Sequence, residues 1–297
     1  MICDYSFRRL HQQTNNMPVI DTSTNYGTYT PAPIIRRLIR LAQHCPDNWP
    51  GNQLALIIRK LVRKTAAMPL DSQAGDIQMR FYLHDNVSER KFLFMPQRFD
   101  PAERELIQQL LPADGTFIDI GANVGIYTLT AARVLNHQGR ILAFEPNPPA
   151  FARLQFNINA NPGISARITL LQEGVSDQDA EFELQLDASN LGGSSLKSRA
   201  AAASTQHVSV RCRPLLQVLM EQNITRMDML KIDIEGAEDI ALAPFLQQAD
   251  DSLLPDYIII ERSERDWQID LHALLQQRGY RQRLETRMNR IFQRPKT

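Results

Sequence analysis

Residues 116–129, Thr-Phe-Ile-Asp-Ile-Gly-Ala-Asn-Val-Gly-Ile-Tyr-Thr-Leu, form an apolar strand that breaks at two glycines and runs straight into a helical pattern. Gly121 and Gly125 let the backbone turn tightly and approach a ligand without interference from a Cβ atom. The flanking chain repeats the alternation. FDPAERELIQQLL reads as a helix opened by Asp100, with Pro101 at its first position. Strand patterns recur at 140–145, 166–172, 181–186, 207–213, 228–232, 256–261, 279–285 and 289–293, and helical ones at 125–136, 148–160, 214–222, 237–248 and 267–278. IQMRFYL (77–83) and KFLFM (91–95) read as a small hairpin-like β entry. Apolar strands separated by helices predict an α/β fold with a mostly parallel sheet covered on both faces. Ligands of such sheets bind outside the carboxyl ends of the strands.

Composition excludes several classes. With 43% hydrophobic and 22% charged residues, the chain is neither disordered, fibrous nor a disulfide scaffold. The 33 basic residues balance the 33 acidic ones, so no global field attracts a polyanion, and no nucleic-acid partner is expected. Cys3, Cys45 and Cys212 are few, odd in number and far apart, which suits reduced thiols and a cytoplasmic location. No stretch approaches the roughly 18 apolar residues of a membrane span, and MICDYSFRRLHQQ has no signal-peptide pattern.

The balance is not local, since residues 1–70 carry nine basic side chains against three acidic ones. Residues 11–33 read as irregular. Two amphipathic helices are predicted after them, separated by a Pro-Asp-Asn-Trp-Pro-Gly turn. One spans 34–43, with Ile34, Ile35, Leu38, Ile39 and Ala42 on one face; the other spans 53–67, with Leu54, Ile57, Ile58, Leu61 and Val62. Residues 34–64 offer contact with a peripheral membrane, a lipid-linked substrate or a second copy in a homodimer. The plainer alternative is a helical cap on the next domain. The expected division is an N-terminal extension over 1–75 and a catalytic domain over 76–297.

Chemistry is sought at the strand ends. The loop after residue 120 is G-x-x-x-G, not the G-x-G-x-x-G of a dinucleotide site. Asp119 before it would repel a pyrophosphate but accept hydrogen bonds from a cationic ligand such as the amino group of S-adenosylmethionine. Glu145, in Phe-Glu-Pro-Asn-Pro, stands where the next strand ends and can accept both hydroxyls of an adenosyl ribose. Glu173-Gly-Val-Ser-Asp177 forms a polar turn suited to an adenine edge. LKIDIEGAE delivers Asp233, Glu235 and Glu238, and YIIIE ends in Glu261, so that Asp233 and Glu261 are expected to face each other across the substrate mouth. Glu235 and Glu238 also suit the positive end of a helix. His207 reads as structural. The segment Asp187-Ala-Ser-Asn-Leu-Gly-Gly-Ser-Ser-Leu196 reads as a flexible loop, a candidate substrate lid.

The order DIGANVGIYT, FEPNP, Asn157 to Asn161, GVSD, LKIDIEGAE and a later strand ending in glutamate resembles the FkbM family of S-adenosylmethionine-dependent methyltransferases, over about residues 92–293. The resemblance implies a class I methyltransferase (Rossmann-like) sheet of seven strands in the order 3-2-1-4-5-7-6, the seventh antiparallel. It also implies O-methylation of a hydroxyl on a sugar, glycan or glycosylated secondary metabolite. Its motifs carry Asp119, Gly121, Ala122, Asn123, Gly125, Tyr127, Glu145, Pro146, Ser176 and Asp177 to the cofactor, and Asp233, Glu235 and Glu238 to the active-site edge. Gly174 departs from the usual alanine.

Methyl transfer from a sulfonium requires chiefly an in-line acceptor and a base for its proton. Asp233 is the first candidate base and Glu261 the second, with Glu235 beside them. The same carboxylates also suit a magnesium ion, although no dedicated metal site is assigned. The rival readings are an N- or carboxyl-methyltransferase on the same fold, a nicotinamide oxidoreductase, and a non-catalytic S-adenosylmethionine-binding protein.

Overall fold

A computed structural model describes residues 20–186 and 206–295. The proposed lid at 187–196 lies outside the described residues. Two helices, α1 (Pro33–Gln43) and α2 (Trp49–Thr65), precede a hairpin of β1 (Leu70–Ala74) and β2 (Ile77–Phe81). Helices α3 (Val87–Phe94) and α4 (Pro101–Leu110) lead into the main sheet.

That sheet alternates strands and helices: β3 (Thr116–Ile120), α5 (Ile126–Val134), β4 (Arg140–Phe144), α6 (Pro148–Asn159) and β5 (Arg167–Leu171). A small excursion follows, with β6 (Gly174–Val175), β7 (Ala180–Leu186) and β8 (Gln206–Arg213) forming their own three-stranded sheet. The main sheet resumes with α7 (Leu215–Glu221), β9 (Met229–Ile232), α8 (Glu238–Gln248), β10 (Tyr257–Glu261), α9 (Leu271–Gln277), β11 (Arg281–Glu285) and β12 (Asn289–Gln293). Its order is β5-β4-β3-β9-β10-β12-β11, with β12 antiparallel to both neighbours. This is the 3-2-1-4-5-7-6 arrangement of the class I methyltransferases.

Strand side chains alternate between two cores. Phe117, Ile141 and Ala143 join one cluster with α1 to α6, whereas Ile118, Ile120, Leu142 and Phe144 join another with α7 to α9. The N-terminal helices thus bury Ile39, Ala42, Ala55, Ile58 and Val62 on the same face of the sheet as α5. The boundary expected at residue 75 falls in the turn of the β1-β2 hairpin. Beyond it, β2 is sealed by Asn157 in α6 and by Asn161 just past that helix's end. Asn157 Oδ1 accepts from the Arg80 amide at 3.0 Å, while Asn161 accepts from the Gln78 amide at 3.1 Å and donates to its carbonyl at 2.8 Å. The buried Arg80 guanidinium pairs with Asp71 and packs on the rings of Tyr29 and Phe156.

Three local expectations are corrected. KFLFM lies in and just after helix α3 rather than in a strand. Asn86 caps that helix by accepting from the Glu89 amide at 3.0 Å, and Phe92, Leu93 and Phe94 are all buried, so their unbroken apolar run carries no helical period. Helix α2 begins at Trp49, inside the expected turn, because the Asn48 side chain caps it through the Gly51 amide. The apolar stripe expected on α2 is split: Ile58 and Val62 are buried, but Leu54, Ile57 and Leu61 face outward.

Candidate active site

The site is a cavity at the carboxyl ends of β3, β4, β9 and β10, closed on one side by α3 and by Phe99 and Asp100. Two glycines set its floor. Gly121 has φ +76°, and a Cβ there would lie 2.0 Å from the Asp233 carbonyl, so only glycine lets the first loop approach the loop after β9. Gly125, φ +94°, starts α5 where a Cβ would collide with Leu154. Non-glycine residues also adopt left-handed backbone here: Asp100, Asn123 and Glu235 have φ of +43°, +51° and +56°, and all three line the cavity. Such strain concentrates where a fold holds a functional geometry.

At the end of β4, Glu145 accepts from the amides of Asn123 (2.7 Å) and Asn147 (2.9 Å). Burial raises its pKa to about 7 despite these donors. The remaining acceptor capacity of this carboxylate borders the cavity, with Pro146 beside it. Asn123 in turn accepts from the Asn86 side chain at 2.9 Å, which locks the cap of α3 to the glycine loop.

On the other side stands an acidic group built on adjacent strands. Ile232 and Ile260 are in register, so Asp233 and Glu261 follow as neighbours. Their carboxylates and that of Glu235 offer oxygens all within 4.8 Å of one another. Burial raises the Glu261 pKa to about 9, reinforced by Asp233 and Glu235. Lys231, buried below, donates to the Gly121 carbonyl at 3.0 Å and lies 3.5 Å from Asp233 and 3.8 Å from Asp119. Burial alone would lower its pKa, but the surrounding carboxylates outweigh burial and hold it above its ordinary value.

The expected site residues are therefore distributed unevenly. Gly121, Ala122, Asn123, Tyr127, Glu145, Pro146, Asp233, Glu235 and Glu261 line the cavity, whereas Asp119, Gly125, Ser176 and Asp177 do not. Asp119 is wholly buried; it accepts from Thr128 and faces Lys231, so it serves as a counterion beneath the site. Ser176 donates to Asp177 and, through its amide, to the Arg213 carbonyl, while Gly174 and Val175 reach the cavity instead. Glu238 accepts from the amides of Ile234 and Gly236 and from the Trp267 indole, which shapes the loop that presents Asp233.

Sequence reasoning missed Asp100 and Lys231. Asp100 reads in the sequence as a capping residue, but its side chain makes no capping bond, and its carboxylate accepts from the Tyr127 hydroxyl at 3.0 Å in the cavity wall. Its only sequence signal was Asp-Pro, which reads equally as a helix start. Lys231 was visible as a lysine inside an apolar strand.

The matched segment decides the family. The model of the methyltransferase FkbM domain matches residues 119–282, more than half of the chain. The chain belongs to the FkbM methyltransferase family. Methyltransferase sdnD of Sordaria araneosa is 30% identical over 155 residues, covering 43% of this chain and 59% of that protein. The hexuronic acid methyltransferase AglP of Haloferax volcanii is 24% identical over 139 residues, covering 46% and 53%. The chain thus spans somewhat over half the length of these curated relatives. A solved FkbM methyltransferase from Methylobacillus flagellatus KT is 16% identical, with a TM-score of 0.40 over 83% of this chain and 61% of that one.

The donor set of this FkbM site fits S-adenosylmethionine. Glu145 would offer an acceptor to ribose hydroxyls, and the acidic side chains of Asp100, Asp233 and Glu235 that line the cavity suit a cationic sulfonium and ammonium. Among the described residues, the cations lining the cavity are Lys91, at its exposed rim, and Lys231, already engaged by carboxylates. A dinucleotide pyrophosphate would find few partners.

The Glu261 proton carries a stability signature. Its folded pKa of about 9 lies above its ordinary 4.5, so the folded state holds a proton that the unfolded chain releases. The resulting stabilisation is complete below the ordinary value and is lost as pH rises through about 9. The melting temperature is expected to fall between these limits, and Glu261→Gln should flatten that slope and raise Tm at the alkaline end. Parallel pH slopes for the two proteins in differential scanning calorimetry would refute this.

Proposed function

We propose that the protein transfers the methyl group of S-adenosylmethionine to a hydroxyl of a sugar, a glycan or a glycosylated secondary metabolite. The observation that carries this reading is that the Asp233–Glu261 pair lines the same cavity as Glu145, across β3 from it. Burial and the neighbouring Asp233 and Glu235 carboxylates raise the Glu261 pKa to about 9, so Glu261 keeps a proton at neutral pH with which to hydrogen-bond Asp233. Asp233, partly exposed in the cavity, is placed to take the proton of an acceptor hydroxyl, and the hydrogen-bonded Glu261 steadies it.

When bound, S-adenosylmethionine supplies a methyl group already activated on sulfur, so positioning and proton removal are what the chain must add. Glu145 orients the ribose. Gly121 lets the glycine loop pack against the loop after β9, and the two form the floor on which the donor would lie. The hexuronic acid methyltransferase among the relatives supports a saccharide acceptor. The acidic mouth disfavours a carboxylate acceptor, which would be repelled and would need no base. We assign residues 76–297 to the catalytic domain and 1–75 to an extension, of which helices α1 and α2 share its core.

Titration calorimetry tests the donor site. S-adenosylmethionine and S-adenosylhomocysteine are expected to bind and NAD is not. Glu145→Ala should weaken both adenosyl ligands by about a hundredfold, the loss of two hydrogen bonds to a charged group. Binding of NAD alone would overturn the proposal. Donor binding without methylation of any hydroxyl in a panel of sugars and glycosides would leave only a binding protein.

A further inference from the structure

We propose that the outward face of α1 and α2 docks on an anionic membrane surface. Among the described residues, ten large apolar side chains are exposed, and six of them, Ile34, Leu41, Trp49, Leu54, Ile57 and Leu61, belong to these two helices. Trp49 is 74% exposed and Ile57 64%. The spacing is ordered. Leu54, Ile57 and Leu61 recur at three and four residues, so they form one stripe along α2, about 100° around the helix from the buried Ala55, Ile58 and Val62. The helix is therefore anchored to its own chain by one face and bears a second apolar face with nothing of the described chain upon it.

Charge identifies the occupant. Between residues 33 and 65 the chain has seven basic side chains, Arg36, Arg37, Arg40, Arg59, Lys60, Arg63 and Lys64, against one acidic, Asp47. Asp47 is paired with Arg98 outside the segment. By helical spacing Lys60 and Lys64 flank the Ile57-Leu61 stripe, and both are exposed. Arg59 and Arg63, half-buried, lie by helical spacing on the far side of α2 from the stripe, where burial and the neighbouring Arg63 hold Arg59 below its ordinary pKa.

An apolar stripe with a tryptophan at one end and lysines along its edge is the pattern of a helix lying in the lipid headgroup region. A nucleic acid would use the cations but leave the apolar stripe in water. A second copy would set two such cationic faces against each other. The face is also connected to the cavity, because α1 and α2 pack on α3, whose Val87, Ser88 and Lys91 line it. Docking would thus hold the cavity close to the lipid surface.

The test uses the full chain and requires no acceptor, so it stands apart from the methyl-transfer reading. Co-sedimentation with vesicles of phosphatidylcholine plus phosphatidylglycerol is expected to exceed that with phosphatidylcholine alone by tenfold or more, and to weaken as salt rises. Lys60→Glu with Lys64→Glu should lower the partition by roughly tenfold or more. Ile57→Glu with Leu61→Glu should abolish it while leaving the melting temperature and S-adenosylmethionine affinity unchanged. Equal sedimentation with both vesicle types, no sedimentation with either, or full binding by the glutamate variants would overturn the proposal. So would a dimer in sedimentation velocity that Ile57→Glu with Leu61→Glu dissolves, or saturable binding to an RNA oligonucleotide lost on charge reversal at Lys60 and Lys64.

Discussion

Asp233→Asn is expected to lower kcat by about a thousandfold while changing S-adenosylmethionine affinity little, within the range typical of removing a positioned base. The asparagine keeps the size of the side chain and can still bond Lys231 and Glu261, but it cannot carry away the acceptor's proton. Glu261→Gln should cost less, because it preserves a donor toward Asp233 and leaves the Asp233 carboxylate in place. The order of the two effects is the discriminating result. Equal losses would mean that neither carboxylate acts alone, and unchanged kcat in Asp233→Asn, measured by single-turnover methylation, would remove it from the chemistry. The same assay in EDTA addresses the cation reading. The clustered oxygens of Asp233, Glu235 and Glu261 suit a hard cation, but Lys231 already sits 3.5 Å from Asp233 and supplies positive charge. Activity is therefore expected to persist in EDTA. Loss in EDTA with recovery on adding magnesium would give these carboxylates a ligating role instead.

The sheet and much of the cavity floor were legible in the sequence because they depend on local rules. Strands such as 140–144 and 257–261 are short apolar runs bounded by turns, and the glycine loop announces itself by residue type. What was hidden depends on contacts between distant segments. Asp119 ends a strand, as a ligand-binding residue would, yet it is buried because Lys231, 112 positions later, lies beneath the same loop. Asp100 looked like a cap, and only the fold brings the Tyr127 hydroxyl to it. The Asn157 to Asn161 pair was recognised as part of a motif, but its work, satisfying the edge of β2, was invisible until β2 and α6 were seen side by side. The helix at 87–94 was lost for a different reason, since a fully buried apolar segment has no periodicity to read.

Lys231→Met is expected to be among the most destabilising substitutions in the chain. Its ammonium is nearly inaccessible and stands between the wholly buried Asp119 and the cavity carboxylates. Removing one partner of a buried ion pair leaves a charge that burial disfavours, at a cost of about 3–5 kcal/mol. For a domain of this size that corresponds to a melting temperature lowered by about 5–15 °C. Asp119 already has a pKa raised by burial, with Lys231 the main opposing influence, so the variant's natural relief is to protonate Asp119. The loss of stability should therefore be larger at alkaline than at acidic pH. A second change separates charge from packing. In Lys231→Met with Asp119→Leu the uncompensated carboxylate is gone, and most of the lost stability should return, while the site loses the positive charge beside Asp233. If the double variant is as unstable as the single one, Lys231 acts through packing and its bond to the Gly121 carbonyl rather than through Asp119. If it is restored in stability yet impaired in methyl transfer, the buried lysine sets the electrostatics of the base above it.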